Sequence, residues 1–136
     1  MTDHPLLDKK LAFIESRVQE LRELAQPELV GHDLRETRFV EHTLQLAIQA
    51  ALDAASQVVS ANRLGEPETN RALFEHLGRY NIIEADLVEP LAAMAGFRNV
   101  LVHGYQEVDA RIVRDVVENH LDDLLAFVEA LRGQLL

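Results

Sequence analysis

The chain is 136 residues long, carries 13 Lys and Arg against 23 Asp and Glu for a formal net charge of −10, and contains no cysteine. One domain of this size, here taken as residues 1–136, builds a core without disulfides or a metal, and the lack of cysteine removes disulfides, thiolate zinc sites and thiol nucleophiles together. The acidity disfavours broad, sequence-independent binding of nucleic acid, so any grip on phosphate must come from a local basic patch drawn from Arg38, Arg79, Arg98, Arg111 and Arg114.

Met1-Thr2-Asp3-His4-Pro5 lacks a basic stretch leading into an apolar run, and charges interrupt every later apolar stretch well short of the roughly 20 residues of a membrane span, so a soluble cytoplasmic protein is expected. From Pro5, the spacing Leu7, Leu11, Ile14, Val18, Leu21 and Leu24 or Ala25 predicts an amphipathic helix closed before Pro27. Residues 27 to 32 connect it to a long helix capped by Asp33, with Glu36 three positions on, that runs to about Arg63 before Gly65 and Pro67. Nine of the twelve residues from Leu44 to Ala55 are apolar, so this helix must be covered on several sides, by a bundle or by a second copy. Asp53, the only charge in that stretch, is either a rim carboxylate held by a hydroxyl or an arginine, or an orienter beside a site.

A short helix follows over about Thr69 to Arg79, and a fourth starts near Ala85 or Asp86. Pro90 is either tolerated near that start or delays it. This helix runs to Gly104, a suitable stop, and Asp109 caps a fifth whose buried stripe extends from Ile112 through Val116, Leu121 and Leu124 to Leu131. No stretch alternates as a strand. The fold class is therefore all-α, an antiparallel bundle of four to five helices, with dimerisation through its helices expected if a second copy covers helical surface that the bundle leaves open.

The end of the fourth helix, Arg98-Asn99-Val100-Leu101-Val102-His103-Gly104-Tyr105, gathers the groups able to act on a phosphodiester. Asn99 and His103 are four residues apart and share a face, where the amide can orient the imidazole, and Gly96 and Ala92 extend that face as a stripe of small residues. Arg98 is five residues from His103, about 140° around an ideal helix, so the two do not sit side by side. Either the last turn loosens and the arginine curls round, or Arg98 and His103 of two subunits combine across a two-fold axis; the second is favoured. Histidine can take a proton from a ribose 2′-OH or give one to the leaving oxygen, while arginine stabilises the added charge on phosphate. No metal or cofactor is then needed, and the six histidines show no H-E-x-x-H or comparable ligand spacing.

These residues resemble the R-N-x-x-x-H-x-Y signature of the HEPN ribonuclease superfamily. Together with Leu44 to Asp53 and Met94-Ala95-Gly96-Phe97, they look like the HepT toxins paired with MntA-type minimal nucleotidyltransferase antitoxins. The resemblance implies a dimeric helical domain that cleaves RNA, tRNA among the candidate targets, without metal. It assigns Arg98 and His103 to catalysis, Asn99 to orientation, and Tyr105 to AMPylation by the partner. The alternative it leaves open is a noncatalytic helical subunit that binds or activates a nucleotidyltransferase. A plain helical scaffold is the third reading.

Overall fold

Leu7, Leu11, Ile14, Val18 and Leu21 are buried along one face of helix α1 (His4–Leu24), as their spacing requires, whereas Leu24 is 60% exposed and Ala25 closes the stripe instead. The structure is a computed structural model that describes residues 4–103 and 108–135, with the backbone alone at 4, 103 and 135. A 3-10 turn, Pro27–Leu29, precedes α2 (Leu34–Ala61). The Asp33 carboxylate caps α2 by accepting from the Glu36 N–H at 2.8 Å. Glu36 does not complete the reciprocal box: its carboxylate accepts from the Gln26 N–H, at 2.8 Å, and ties the turn to the helix start.

α2 ends at Ala61, two residues earlier than its pattern implies, because Arg63 takes the left-handed conformation (φ 52°) and the Leu64 N–H returns to the Val59 carbonyl at 3.0 Å. Thr69 caps α3 (Asn70–Arg79) by accepting from the Ala72 N–H. The next helix, α4 (Ala85–His103), keeps Pro90 inside it, so the ring is tolerated near the start. α3 lies hard against α4 at Gly78, where a Cβ would come within 2.5 Å of Val88 Cγ2.

The expected fifth helix is two. α5 (Ala110–Asn119) begins at the Asp109 cap, and α6 (Leu121–Arg132) follows after a break at His120 (φ −122°, ψ 2°). Polar groups favour this break: the His120 ring lies between the carboxylates of Asp115 (3.1 Å) and Asp123 (3.3 Å). Asn119 also donates to Asp115, and Asp122 and Asp123 suit the positive start of a new helix. A short 3-10 turn, Gly133–Leu135, closes the chain.

The fold is thus all-helical, with six α-helices and no strand among the described residues. α2 is the central element, contacted by α1, α3, α4 and α6, so its apolar middle is covered within one chain. Leu44, Ala47, Ile48, Ala51, Ala54 and Ala55 all lie in the core. Phe127 of α6 meets Phe74 of α3 edge-on, with ring centroids 5.9 Å apart. Arg132 grips both oxygens of Glu15 at 2.8 and 2.7 Å and pins α6 to α1, and Arg22 pairs with Asp122. Among the described residues no helix is long and apolar enough to cross a membrane.

Candidate active site

Arg98 falls three and four residues after Ala95 and Met94, both buried, so it continues the core-facing stripe of α4 where another apolar residue would ordinarily sit. Its Nε is buried and has no hydrogen-bond partner among the described residues, where its side chain makes a long donation from Nη1 to Asn99 Oδ1 at 3.5 Å. A buried guanidinium nitrogen without an acceptor costs folding free energy, so packing does not account for this residue. Asn99 is exposed and reaches back to Arg98. The expected Asn99–His103 pairing lies outside the described residues, because only the backbone of His103 is described, as the last residue of α4.

Tyr105 and Gly104 also lie outside the described residues. The small stripe divides: Ala92 is buried, but Gly96 is exposed and a Cβ there would meet nothing within 4 Å among the described residues, so none of the described helices occupies the space beside it. Val100, on the outward face, is 48% exposed.

Chain connectivity locates this segment. Four residues separate His103 from Val108, a span of at most roughly 18 Å. Just beyond, Ala110 packs on Gly31, whose added Cβ would come within 2.7 Å of the Ala110 Cβ, and Arg114 donates to the Val30 carbonyl at 2.8 Å. Gly31 also has φ +90°, which suits glycine, so residues 30 and 31 form a fixed seat for the start of α5. The end of α4 and the beginning of α2 therefore share one end of the bundle.

Two acidic residues on α2 clarify the surroundings. Asp53 is a rim carboxylate, paired with Lys10 at 3.2 Å and accepting from Gln49 at 2.9 Å. Its partner is a lysine of α1, where an arginine or hydroxyl was expected, and it makes no described contact with Arg98. Glu41 was not singled out by its sequence context. It shares a flank of α2 with Ile48, Leu52 and Val59, turned away from the face of Leu46, Ala50 and Asp53 that lines a groove with α1.

Burial holds the Glu41 carboxyl above the ordinary carboxylate range, with no cation or donor offsetting it. Ionisation there opposes folding. The penalty is absent below the unfolded pKa of about 4.3 and is present once pH exceeds the raised folded value. Glu41→Gln should accordingly raise Tm at pH 7 and change little near pH 4 in parallel thermal melts; equal melting at pH 7 would mean that a partner satisfies the carboxylate.

Among the described residues no group of three or more His, Asp or Glu could hold a metal ion. A surface cavity of about 750 Å³, lined by residues from Ser56 to Leu73, lies where α2 passes into α3 and contains none of the expected site residues.

Comparison with known proteins adds to this geometry. The sequence model of a family described as "Ribonuclease HepT-like" matches residues 10–131. The "mRNA nuclease HepT" of Shewanella oneidensis is 35% identical over 91 residues, covering 67% of this chain and 68% of the relative. The "tRNA nuclease HepT" of Aphanizomenon flos-aquae is 32% identical over 98 residues, covering 72% and 67%. Among solved structures, the tri-AMPylated Shewanella oneidensis HEPN toxin in complex with MNT antitoxin superposes with a TM-score of 0.87 at 29% identity, over 98% of this chain and 99% of that one.

Proposed function

Because the chain belongs to the HepT-like ribonuclease family, we propose that it is a toxin that cuts RNA without metal, through Arg98 and His103, and is silenced when a nucleotidyltransferase antitoxin adds AMP to Tyr105. The observation that carries the catalytic part is Arg98: a guanidinium on the buried stripe of α4, with its Nε unpaired, is unexplained by stability and suited to an incoming phosphate. His103, at the end of the same helix, accepts the proton of the 2′-OH. The 2′ oxygen then bonds to phosphorus, the bond to the 5′ oxygen breaks, and His103 returns its proton to that leaving oxygen. The products are a 2′,3′-cyclic phosphate and a 5′-hydroxyl. Arg98 stabilises the extra negative charge between these states, and Asn99 orients the pair.

The chain acts as one domain and as a homodimer in the cytoplasm, where RNA and ATP are present. Residues about 140° apart on one helix complete a cleft most directly when two copies contribute, and the open space at Gly96 beside exposed Asn99 and Val100 leaves room for a second α4. RNA is the substrate class, and tRNA is the first to test. The partner is a minimal nucleotidyltransferase like the antitoxin in the superposed complex. AMP on Tyr105, two residues past His103, would place negative charge and bulk where the RNA backbone must lie.

Intact mass spectrometry of the protein expressed with and without its neighbouring nucleotidyltransferase tests the control mechanism. AMP increments that map to Tyr105 and end growth arrest are expected. An unmodified protein in the presence of active enzyme and ATP would refute it. A wild type that is harmless and leaves RNA uncut would instead favour the noncatalytic binding subunit.

A further inference from the structure

How an acidic protein holds a polyanion is answered by which of its cations are free. Six of the 13 Lys and Arg residues are already committed to carboxylates: Lys10 to Asp53, Arg17 to Glu20, Arg22 to Asp122, Arg71 to Glu89, Arg111 to Asp109, and Arg132 to Glu15. Of the rest, Lys9 stands on α1, Arg63 follows the end of α2 and Arg79 ends α3. Arg35 and Arg38 stand on the first turns of α2, Arg98 near the end of α4 and Arg114 on α5, elements that meet at one end of the bundle. Arg114 is held by the Val30 carbonyl. Arg35 and Arg38 are exposed and unpaired among the described residues, one turn apart on α2, with about 5–6 Å between their Cβ atoms by helical geometry.

Neither is there for the helix. Arg35 sits in the first turn of α2, where positive charge works against the helix dipole. The carboxylates nearby in sequence do not neutralise the pair: Asp33 caps the Glu36 N–H, and Glu36 binds the Gln26 N–H. Arg98 lies on the core-facing side of α4, which packs on α2.

We infer that Arg35 and Arg38 form a phosphate-binding ridge on the first turns of α2 that carries a single RNA strand up to Arg98. This rests on the ribonuclease reading above and adds to it the residues that supply substrate affinity. The two guanidiniums hold phosphates flanking the scissile one, read no base, and act by binding alone. The net charge of −10 then serves discrimination, because RNA is repelled everywhere except along this track.

The test is R35A/R38A against K9A/R63A, two pairs of exposed cations without ion-pair partners among the described residues, with cleavage kinetics on a short fluorescein-labelled single-stranded RNA. RNA affinity is also measured across a salt series in a His103→Ala background that keeps the strand intact. For R35A/R38A, KM should rise roughly tenfold at unchanged kcat, the pattern of binding removed equally from ground and transition states. The slope of log K against log salt should shrink by about 1.4, near 0.7 for each phosphate that is no longer neutralised. K9A/R63A should change neither. Equal losses from both pairs, or a wild-type slope in R35A/R38A while the wild type cuts RNA, would overturn the ridge and leave the nuclease standing. A wild type that cuts no RNA would overturn the nuclease reading, and the ridge with it.

Discussion

Arg98→Ala should lower RNA cleavage by on the order of 10²–10³-fold, the usual cost of removing one preorganised donor to a developing oxyanion, without loss of stability. The two halves of that expectation are linked. Arg98 occupies a core-facing position, where truncating a leucine would leave a cavity and cost roughly 2–5 kcal/mol. Among the described residues its buried Nε has no acceptor and its polar contact is a 3.5 Å donation to Asn99, so removing the guanidinium also relieves a desolvation penalty. The loss of stem packing and the relief offset each other, and Tm should stay level or rise. Single-turnover cleavage and thermal melting on the same preparation check both. A large fall in Tm would identify Arg98 as a structural residue and remove the main support for its catalytic role.

Phe127→Ala should destabilise the bundle by about 3–5 kcal/mol, the largest effect expected of any single truncation here. The ring is fully buried and meets Phe74 in a T-shaped contact, a geometry that contributes beyond its buried area. That contact joins α6 to α3, and α3 braces α4 through the close approach at Gly78 and Val88. Out of a total stability of roughly 5–15 kcal/mol, such a loss leaves a detectable unfolded population. Urea unfolding followed by circular dichroism measures it. Activity should fall only in proportion to the folded fraction, in contrast to Arg98→Ala. A midpoint unchanged from wild type would mean that the junction of α3 and α6 is not part of the cooperative core.

The helices and their starts were legible because local chemistry sets them: Asp33 and Asp109 cap where their side chains can reach the next free N–H, and the α1 stripe from Leu7 to Leu21 repeats at helical spacing. The break at His120 was not, since the apolar period continues unbroken from Ile112 to Leu131 and the polar cluster that favours the break forms only when Asp115, Asn119 and Asp123 come together. For Asp53 the sequence left a rim carboxylate or an orienter open, because its partner Lys10 is 43 residues away and belongs to a tertiary contact. The chemistry-bearing segment was visible from residue type and spacing. That Arg98 lies on the buried side of α4 depends on which face packs, and the division of arginines into paired and free depends on neighbours from other helices. Glu41 has no signature in sequence at all, since its distinction is burial without a partner.

The most direct test of the central claim, that Arg98 and His103 cut RNA by attack of its own 2′-OH, is the chemistry of the product ends. The purified protein should cleave RNA in the presence of EDTA and leave 2′,3′-cyclic phosphate and 5′-hydroxyl termini, with both products absent in His103→Ala. Cleavage that stops with EDTA, or that leaves 5′-phosphate ends, would contradict it.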